Sequence, residues 1–302
     1  MAKKVFRSVL AVCVIAAVLV GCDTGSFSFV SQRETLREEL SGTLEELARK
    51  NQELENAERR METLRDEMRA LEDDAYEGQL RRSVETNHTI TVHSYDTSGR
   101  PDFQYAIYEP NGLDAAEPHP MVVYLHGSGI VGKTPEELLA ENSLPSFLQE
   151  GLLCPNALVL IPLCKSGNWS GCCEDLMELI EYAADTYNAD RSRISITGFS
   201  LGGIGCFAML THYPRYFSAA APFAAAYTPA ACAVITSTPV RMIHGSADTA
   251  MGFDVVEINE IIRNAGGQSE LILFSGEGHT VQSHYLDDGG RILDWLTAQR
   301  RS

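Results

Sequence analysis

The chain has 302 residues, with 24 Lys and Arg against 41 Asp and Glu, for a net charge of −17. That charge divides into +2 for residues 1–32, −5 for residues 33–82 and −14 for residues 83–302. A surface so acidic repels nucleic acid and anionic headgroups and favours neutral substrates, so nucleic acid is excluded as a partner.

The first segment reads as a targeting signal. Lys3, Lys4 and Arg7 make a charged start, and the apolar core from Val9 to Val20 is too short for a comfortable membrane span. The core ends in Leu19-Val20-Gly21-Cys22, which resembles a bacterial lipobox. The resemblance implies cleavage before Cys22, lipidation of Cys22 (the palmitate-bearing lipoprotein pattern) and attachment to a membrane of the bacterial cell envelope. An uncleaved anchor or an ordinary signal peptide is the alternative, and both also export the remainder. The expected division is a signal peptide at 1–21, a tether at 22–32, a helical segment at 33–82 and a catalytic domain at 83–302.

In residues 33–82 the composition shifts to Glu, Arg and Leu. Leu36, Leu40, Thr43, Leu47, Lys50, Leu54, Ala57, Met61, Leu64, Met68, Leu71 and Ala75 keep alternating steps of three and four. That is a heptad stripe, weakened at Thr43, Lys50 and Ala57. It predicts a long helix that either forms a coiled coil between copies of the chain, packs on its own domain, or serves as a spacer above the lipid surface.

The remaining ~220 residues suffice for one α/β core. Apolar runs predict strands at Thr89–His93, Phe103–Tyr108, Met121–Leu125, Ala157–Pro162, Arg193–Thr197, Ala219–Phe223, Val240–Ile243 and Leu271–Phe274. Helices are predicted between them, notably over 173–187, 203–211, 253–265 and 282–300. Met121–Leu125 runs into His126-Gly127-Ser128-Gly129, a loop able to present backbone amides to an oxyanion. Only about fifteen residues separate the Ala-rich strand from Val240, which leaves no room for a lid domain, so an open cleft is expected.

Gly198-Phe199-Ser200-Leu201-Gly202 follows the strand Arg193–Thr197 and precedes a helical run. Strand, sharp turn, serine and helix form a G-x-S-x-G nucleophile elbow, whose tight turn demands small flanking residues. Val240–Ile243 leads to Asp248, and Leu271–Phe274 leads to His279 on a Gly-rich loop. The order Ser200, Asp248, His279 is that of α/β-hydrolases rather than of chymotrypsin or subtilisin. His279 is then the general base, Asp248 its orienting carboxylate, and the amide of Leu201 one oxyanion donor, with the second from the Gly127–Ser128 region, assigned to Ser128. Asp254 and Glu277 are alternative acids. His244 and His126 read as structural, and Trp169 either lines the cleft or packs. His284 is expected in the last helix. This chemistry requires no metal and no organic cofactor, and no cysteine spacing with matching histidines suggests a zinc site.

These residues carry a family resemblance over roughly 88–300. Leu125-His126-Gly127-Ser128-Gly129, Asp190-Arg191-Ser192-Arg193-Ile194, Thr197 to Gly203, Tyr213-Pro214-Arg215-Tyr216-Phe217-Ser218-Ala219-Ala220-Ala221, and Pro162-Leu163-Cys164 with Trp169 together resemble α/β-hydrolases. The likeness is greatest to the group of polyhydroxybutyrate depolymerases, feruloyl and acetylxylan esterases and predicted peptidases. Ser128 departs from the cysteine that depolymerases often carry there. The resemblance implies a mostly parallel central sheet flanked by helices. It also implies a serine hydrolase of carboxylic esters, an acylated carbohydrate or similar exported compound. A serine peptidase of the same fold and an inactive envelope scaffold are the competing readings.

With Cys13 removed and Cys22 lipidated, Cys154, Cys164, Cys172, Cys173, Cys206 and Cys232 remain, an even number that permits disulfides. Cys154 and Cys164 flank one extended strand, and ten residues at ~3.3 Å each hold them beyond bonding reach. Cys164 with Cys172 or Cys173 is the expected local pair.

Overall fold

The computed structural model describes residues 37, 38, 40–54, 56, 59 and 60, and residues 88–99, 102–114, 116–286 and 290–301. The signal peptide, Cys22, the tether and the heptad positions from Met61 onward lie outside the described residues. The chain divides into two units, Met1–Ala70 and Leu71–Ser302.

In the first unit residues 40–54 are helical. Two exposed pairs at helical spacing, Lys50–Glu46 at 2.9 Å and Arg49–Glu53 at 3.4 Å, run along it. Such pairs contribute only ~0.3–0.5 kcal/mol each. Leu44 and Leu54 face solvent.

The second unit holds an eight-stranded sheet: β1 (His88–Tyr95), β2 (Phe103–Pro110), β3 (His119–Leu125), β4 (Leu158–Pro162), β5 (Ala189–Phe199), β6 (Ala220–Phe223), β7 (Val240–Gly245) and β8 (Ser269–Phe274). Their spatial order is β1-β2-β4-β3-β5-β6-β7-β8, with β2 antiparallel to both neighbours and every pair from β4 to β8 parallel. The eight predicted strands are all present, most of them longer by a few residues.

The central strands are apolar on both faces because both faces are covered. Along β3, Met121, Val123 and Leu125 enter one core while Val122 and Tyr124 enter the other. Against the first face pack α3 (Cys173–Thr186), α4 (Leu201–His212) and α5 (Asp254–Asn264). The second is covered by α1 (Pro135–Leu139), α2 (Leu144–Gln149) and α6 (Arg291–Ala298). Helices on both faces of a mostly parallel sheet are what the alternating pattern predicts.

Two expectations are corrected. The predicted helix over 282–300 is two elements: a 3-10 turn, Gln282–Tyr285, and then α6. Gly290, at φ +86°, caps the start of α6 in the left-handed region, a conformation that no helix passes through. His284 therefore sits in the 3-10 turn. There its Nε2 pairs with Glu277 at 2.7 Å and its ring stacks on Phe274 at 3.4 Å.

The structure also adds elements. α1 and α2 are too short to show a period, but their starts carry the chemistry of helix entry. Thr134 and Glu137 form a reciprocal capping box around Pro135, and Pro145 stands in the first turn after Ser143.

The second correction concerns the cysteines. Cys164 turns its sulfur to the Ser166 carbonyl (3.3 Å), and both Cys172 and Cys173 turn theirs to the Trp169 carbonyl (3.4 and 3.5 Å). Thiol–carbonyl contacts thus stand where the Cys164 disulfide was expected.

Candidate active site

β3 and β5 lie side by side, but the chain leaves them in opposite directions, β3 towards β4 and β5 towards β6. The crevice at such a switch point, beyond the carboxyl ends of the strands, is where open α/β sheets bind ligands. Here the loop after β3 carries His126-Gly127-Ser128 and the turn after β5 carries Ser200.

Ser200 follows β5 and caps α4 with φ 55° and ψ −114°, a conformation that costs a non-glycine residue of order 1–3 kcal/mol. The surroundings fix it there. Its amide donates to the Phe223 carbonyl at 2.9 Å, and its carbonyl accepts from the Ile204 amide at 3.0 Å. A methyl group on Gly198 would lie 2.6 Å from the Leu125 oxygen. One on Gly202 would lie 1.8 Å from the same oxygen. Both glycines are thus demanded by the close approach of β3 to the turn.

His279 joins Ser200 and Asp248. The Ser200 hydroxyl donates to His279 Nε2 at 2.8 Å, and His279 Nδ1 donates to Asp248 Oδ2 at 2.9 Å. Asp248 is 1 % exposed and Ser200 5 %, whereas the His279 side chain is 27 % exposed. Burial pushes the Asp248 carboxyl up. The hydrogen bonds from His279 and from the Met251 and Ala250 amides outweigh it and hold the group below the usual carboxylate range. An ionised Asp248 fixes the proton of His279 on Nδ1 and leaves Nε2 as the acceptor facing the serine.

The loops bearing Asp248 and His279 are knitted together. The Ala247 amide donates to the Glu277 carbonyl at 2.7 Å, and the Gly276 amide to Ser246 Oγ at 2.8 Å. Of the alternative acids, Glu277 is engaged by His284 and Asp254 opens α5. His244 is buried, with Nε2 at 2.9 Å from the Gly252 carbonyl and 3.6 Å from Asp248 Oδ2. Burial lowers its pKa, so it stays neutral beside the carboxylate.

The loop after β3 is braced from below. His126 is fully buried, and burial lowers its pKa to about 4. Its Nδ1 donates to the Gly127 carbonyl at 2.8 Å and its Nε2 accepts the Cys164 amide at 3.0 Å. Trp169 is also fully buried and donates its indole N–H to the His126 carbonyl at 3.0 Å. Trp169 therefore packs and does not line a cleft. Ser128 opens the 3-10 turn Ser128–Ile130 and is exposed, while the Leu201 amide stands at the first position of α4. Amides at the first positions of a helical turn have no acceptor within it. Both are thus available to an anion at this end of the sheet.

Sequence reasoning did not single out Phe199, Tyr124 or Glu141. The Phe199 ring lies 5.1 Å from that of His279 and also borders Gly127. The Tyr124 hydroxyl donates to Glu141 Oε2 at 3.2 Å and shares a short hydrogen bond with Ser143 Oγ. Among the described residues no group of three or more His, Cys, Asp or Glu is arranged to hold a metal ion.

Comparison with known proteins agrees with this architecture. A thermostable esterase of known structure superposes with a TM-score of 0.57 at 20% identity, over 70% of this chain and 63% of that one. The chain has the α/β-hydrolase fold. Residues 163–288 match the dienelactone hydrolase family model, a span under half of the chain that includes Ser200, Asp248 and His279. A "Probable carboxylesterase" of Oryza sativa subsp. japonica is 26% identical over 206 residues, 59% of this chain and 77% of that protein. A "Putative carboxymethylenebutenolidase" of Yersinia pestis is 24% identical over 163 residues, 47% of this chain and 55% of that protein. The chain thus spans just over half the length of the Yersinia relative. The matched model is thus described as a hydrolase family and the Oryza relative as a carboxylesterase.

Proposed function

We propose that this α/β-hydrolase cleaves carboxylic esters through a covalent acyl-enzyme on Ser200. The observation that carries the reading is the continuous relay Ser200–His279–Asp248, at 2.8 and 2.9 Å, on a strained turn between β5 and α4. As Ser200 Oγ attacks the acyl carbon, its proton passes to His279 Nε2, and Asp248 stabilises the resulting imidazolium. The acyl oxygen becomes negative and is held by the amides of Leu201 and Ser128, each such donor being worth about 3 kcal/mol in the transition state. His279 then protonates the leaving alcohol oxygen as the acyl–oxygen bond breaks. A water molecule, deprotonated by His279, attacks the acyl carbon and releases the acid and Ser200.

The acidic catalytic region favours a neutral substrate, and an acylated carbohydrate fits that constraint. Between β6 and β7 the chain makes only a short 3-10 turn, Pro229–Val234, which suits an open site rather than a lid-gated one. The charged start and the Leu19-Val20-Gly21-Cys22 motif support a lipid anchor in the bacterial cell envelope. The heptad stripe supports self-association or a spacer role for residues 33–82. A panel of p-nitrophenyl acyl esters, feruloyl and acetyl sugars and peptide anilides tests the reading. Hydrolysis of esters by wild type, with loss of roughly 10⁴-fold or more in Ser200→Ala, is expected. Cleavage confined to the anilides would assign a peptidase instead.

A further inference from the structure

Glu141 has no part in the relay, yet it stands against the loop that supplies the second oxyanion donor. It follows α1 and precedes α2, and its carboxyl turns inward towards β3. One oxygen accepts from the Tyr124 hydroxyl at 3.2 Å. The Gly127 amide faces the carboxyl and favours its charged form. Glu141 Oε1 is so near the Gly127 backbone that a methyl group on Gly127 would lie 3.7 Å from it. Burial raises the carboxyl to about 7, so it is charged in mildly alkaline solution.

The two peptides that flank Gly127 are thereby held: His126–Gly127 at its carbonyl by the Trp169 indole and at its amide by Glu141, and Gly127–Ser128 at its carbonyl by His126 Nδ1. A peptide group held at both ends cannot rotate, and the next peptide inherits its direction. We infer that Glu141 is a positioning residue of the oxyanion loop: by taking the Gly127 amide it fixes the Gly127–Ser128 backbone and leaves the Ser128 amide for the acyl oxygen. This rests on the esterase reading above. It assigns to Glu141 an effect on the transition state and none on the ground state, because the strengthened hydrogen bond to the substrate oxygen forms only as charge develops.

The experiment compares Glu141→Ala, Glu141→Met and Glu141→Gln in the full chain. It measures kcat and KM on p-nitrophenyl acetate and the second-order rate of labelling by a fluorophosphonate. Met fills the space without an acceptor, so it serves if Ala does not fold. Gln keeps an acceptor for the Gly127 amide. The inference predicts that Ala and Met lower kcat by 10- to 100-fold with KM within about 2-fold, and that labelling slows in parallel. Gln recovers most of the loss. Folded Ala and Met variants with wild-type kcat and labelling, or a Gln variant as impaired as Met, would overturn it. A wild-type chain that neither labels nor hydrolyses would overturn the esterase reading, and this inference with it. An active wild type with indifferent Glu141 variants would overturn the inference alone.

Discussion

Gly202 lies so close to Leu125 that a methyl group on it would stand 1.8 Å from the Leu125 carbonyl oxygen and 2.5 Å from its carbonyl carbon. Neither atom can move aside, because Leu125 ends β3 and is paired with Gly198 of β5. The approach of β3 to the first turn of α4, and not the chemistry of Ser200, is what demands glycine here. Gly202→Ala must therefore displace the elbow. Overpacking of this kind costs at least about 1–3 kcal/mol, and a shift of ~1 Å at a nucleophile costs roughly 100-fold in rate. Denaturant unfolding and ester turnover should both register the change. A variant with wild-type stability and turnover would contradict the close approach.

A second expectation concerns stability and pH. His126 has its pKa lowered to about 4 in the folded chain from an ordinary 6.5, so the unfolded chain binds an extra proton there between those values. Its contribution is complete above pH 6.5 and is lost as pH falls, by roughly 1.4 kcal/mol per unit. Glu141 is raised to about 7 from an ordinary 4.5, so the folded chain holds the extra proton. Its contribution is complete below pH 4.5 and is lost as pH rises towards 7. Between pH 4.5 and 6.5 the two slopes oppose one another. Glu141→Gln removes one of them, so its unfolding free energy should fall more steeply than that of wild type on acidification across this window. Parallel pH dependences for the two proteins would show that these groups do not titrate as assigned.

How much of this could be read in advance follows from what each residue needs. The sheet was legible because each strand is an apolar run bounded by turn residues, and the elbow because Gly198, Ser200 and Gly202 are set by local sterics. Asp248 and His279 could be found because each follows a strand closely. Glu141 could not. It meets Gly127 across a 3-10 turn and one short helix, and nothing in its neighbours marks it. The sequence leaves Trp169 between cleft and core because it does not say that the indole N–H finds the His126 carbonyl. The helix predicted over 282–300 overlooked Gly290, although a glycine within a helical pattern is itself a stop signal. The Cys164 pairing rested on spacing alone, and spacing does not say which way a sulfur points.

The proposed anchor has a direct test. Cys22→Ser should abolish lipid attachment and move the protein from the membrane fraction to the soluble one, or leave an uncleaved precursor. Intact-mass measurement of the membrane-extracted wild type should give a chain that begins at Cys22 and carries added acyl mass. A mature chain without added mass, beginning elsewhere, would exclude the anchor.

The central claim is that Ser200 is a nucleophile activated by His279. The most direct measurement is to treat the purified chain with a fluorophosphonate and map the adduct by peptide mass spectrometry. The account predicts one adduct per chain, on the peptide containing Ser200, absent from Ser200→Ala and slowed by several orders of magnitude in His279→Ala. Labelling at another residue, or equal labelling of Ser200 in the folded His279→Ala variant, would contradict it.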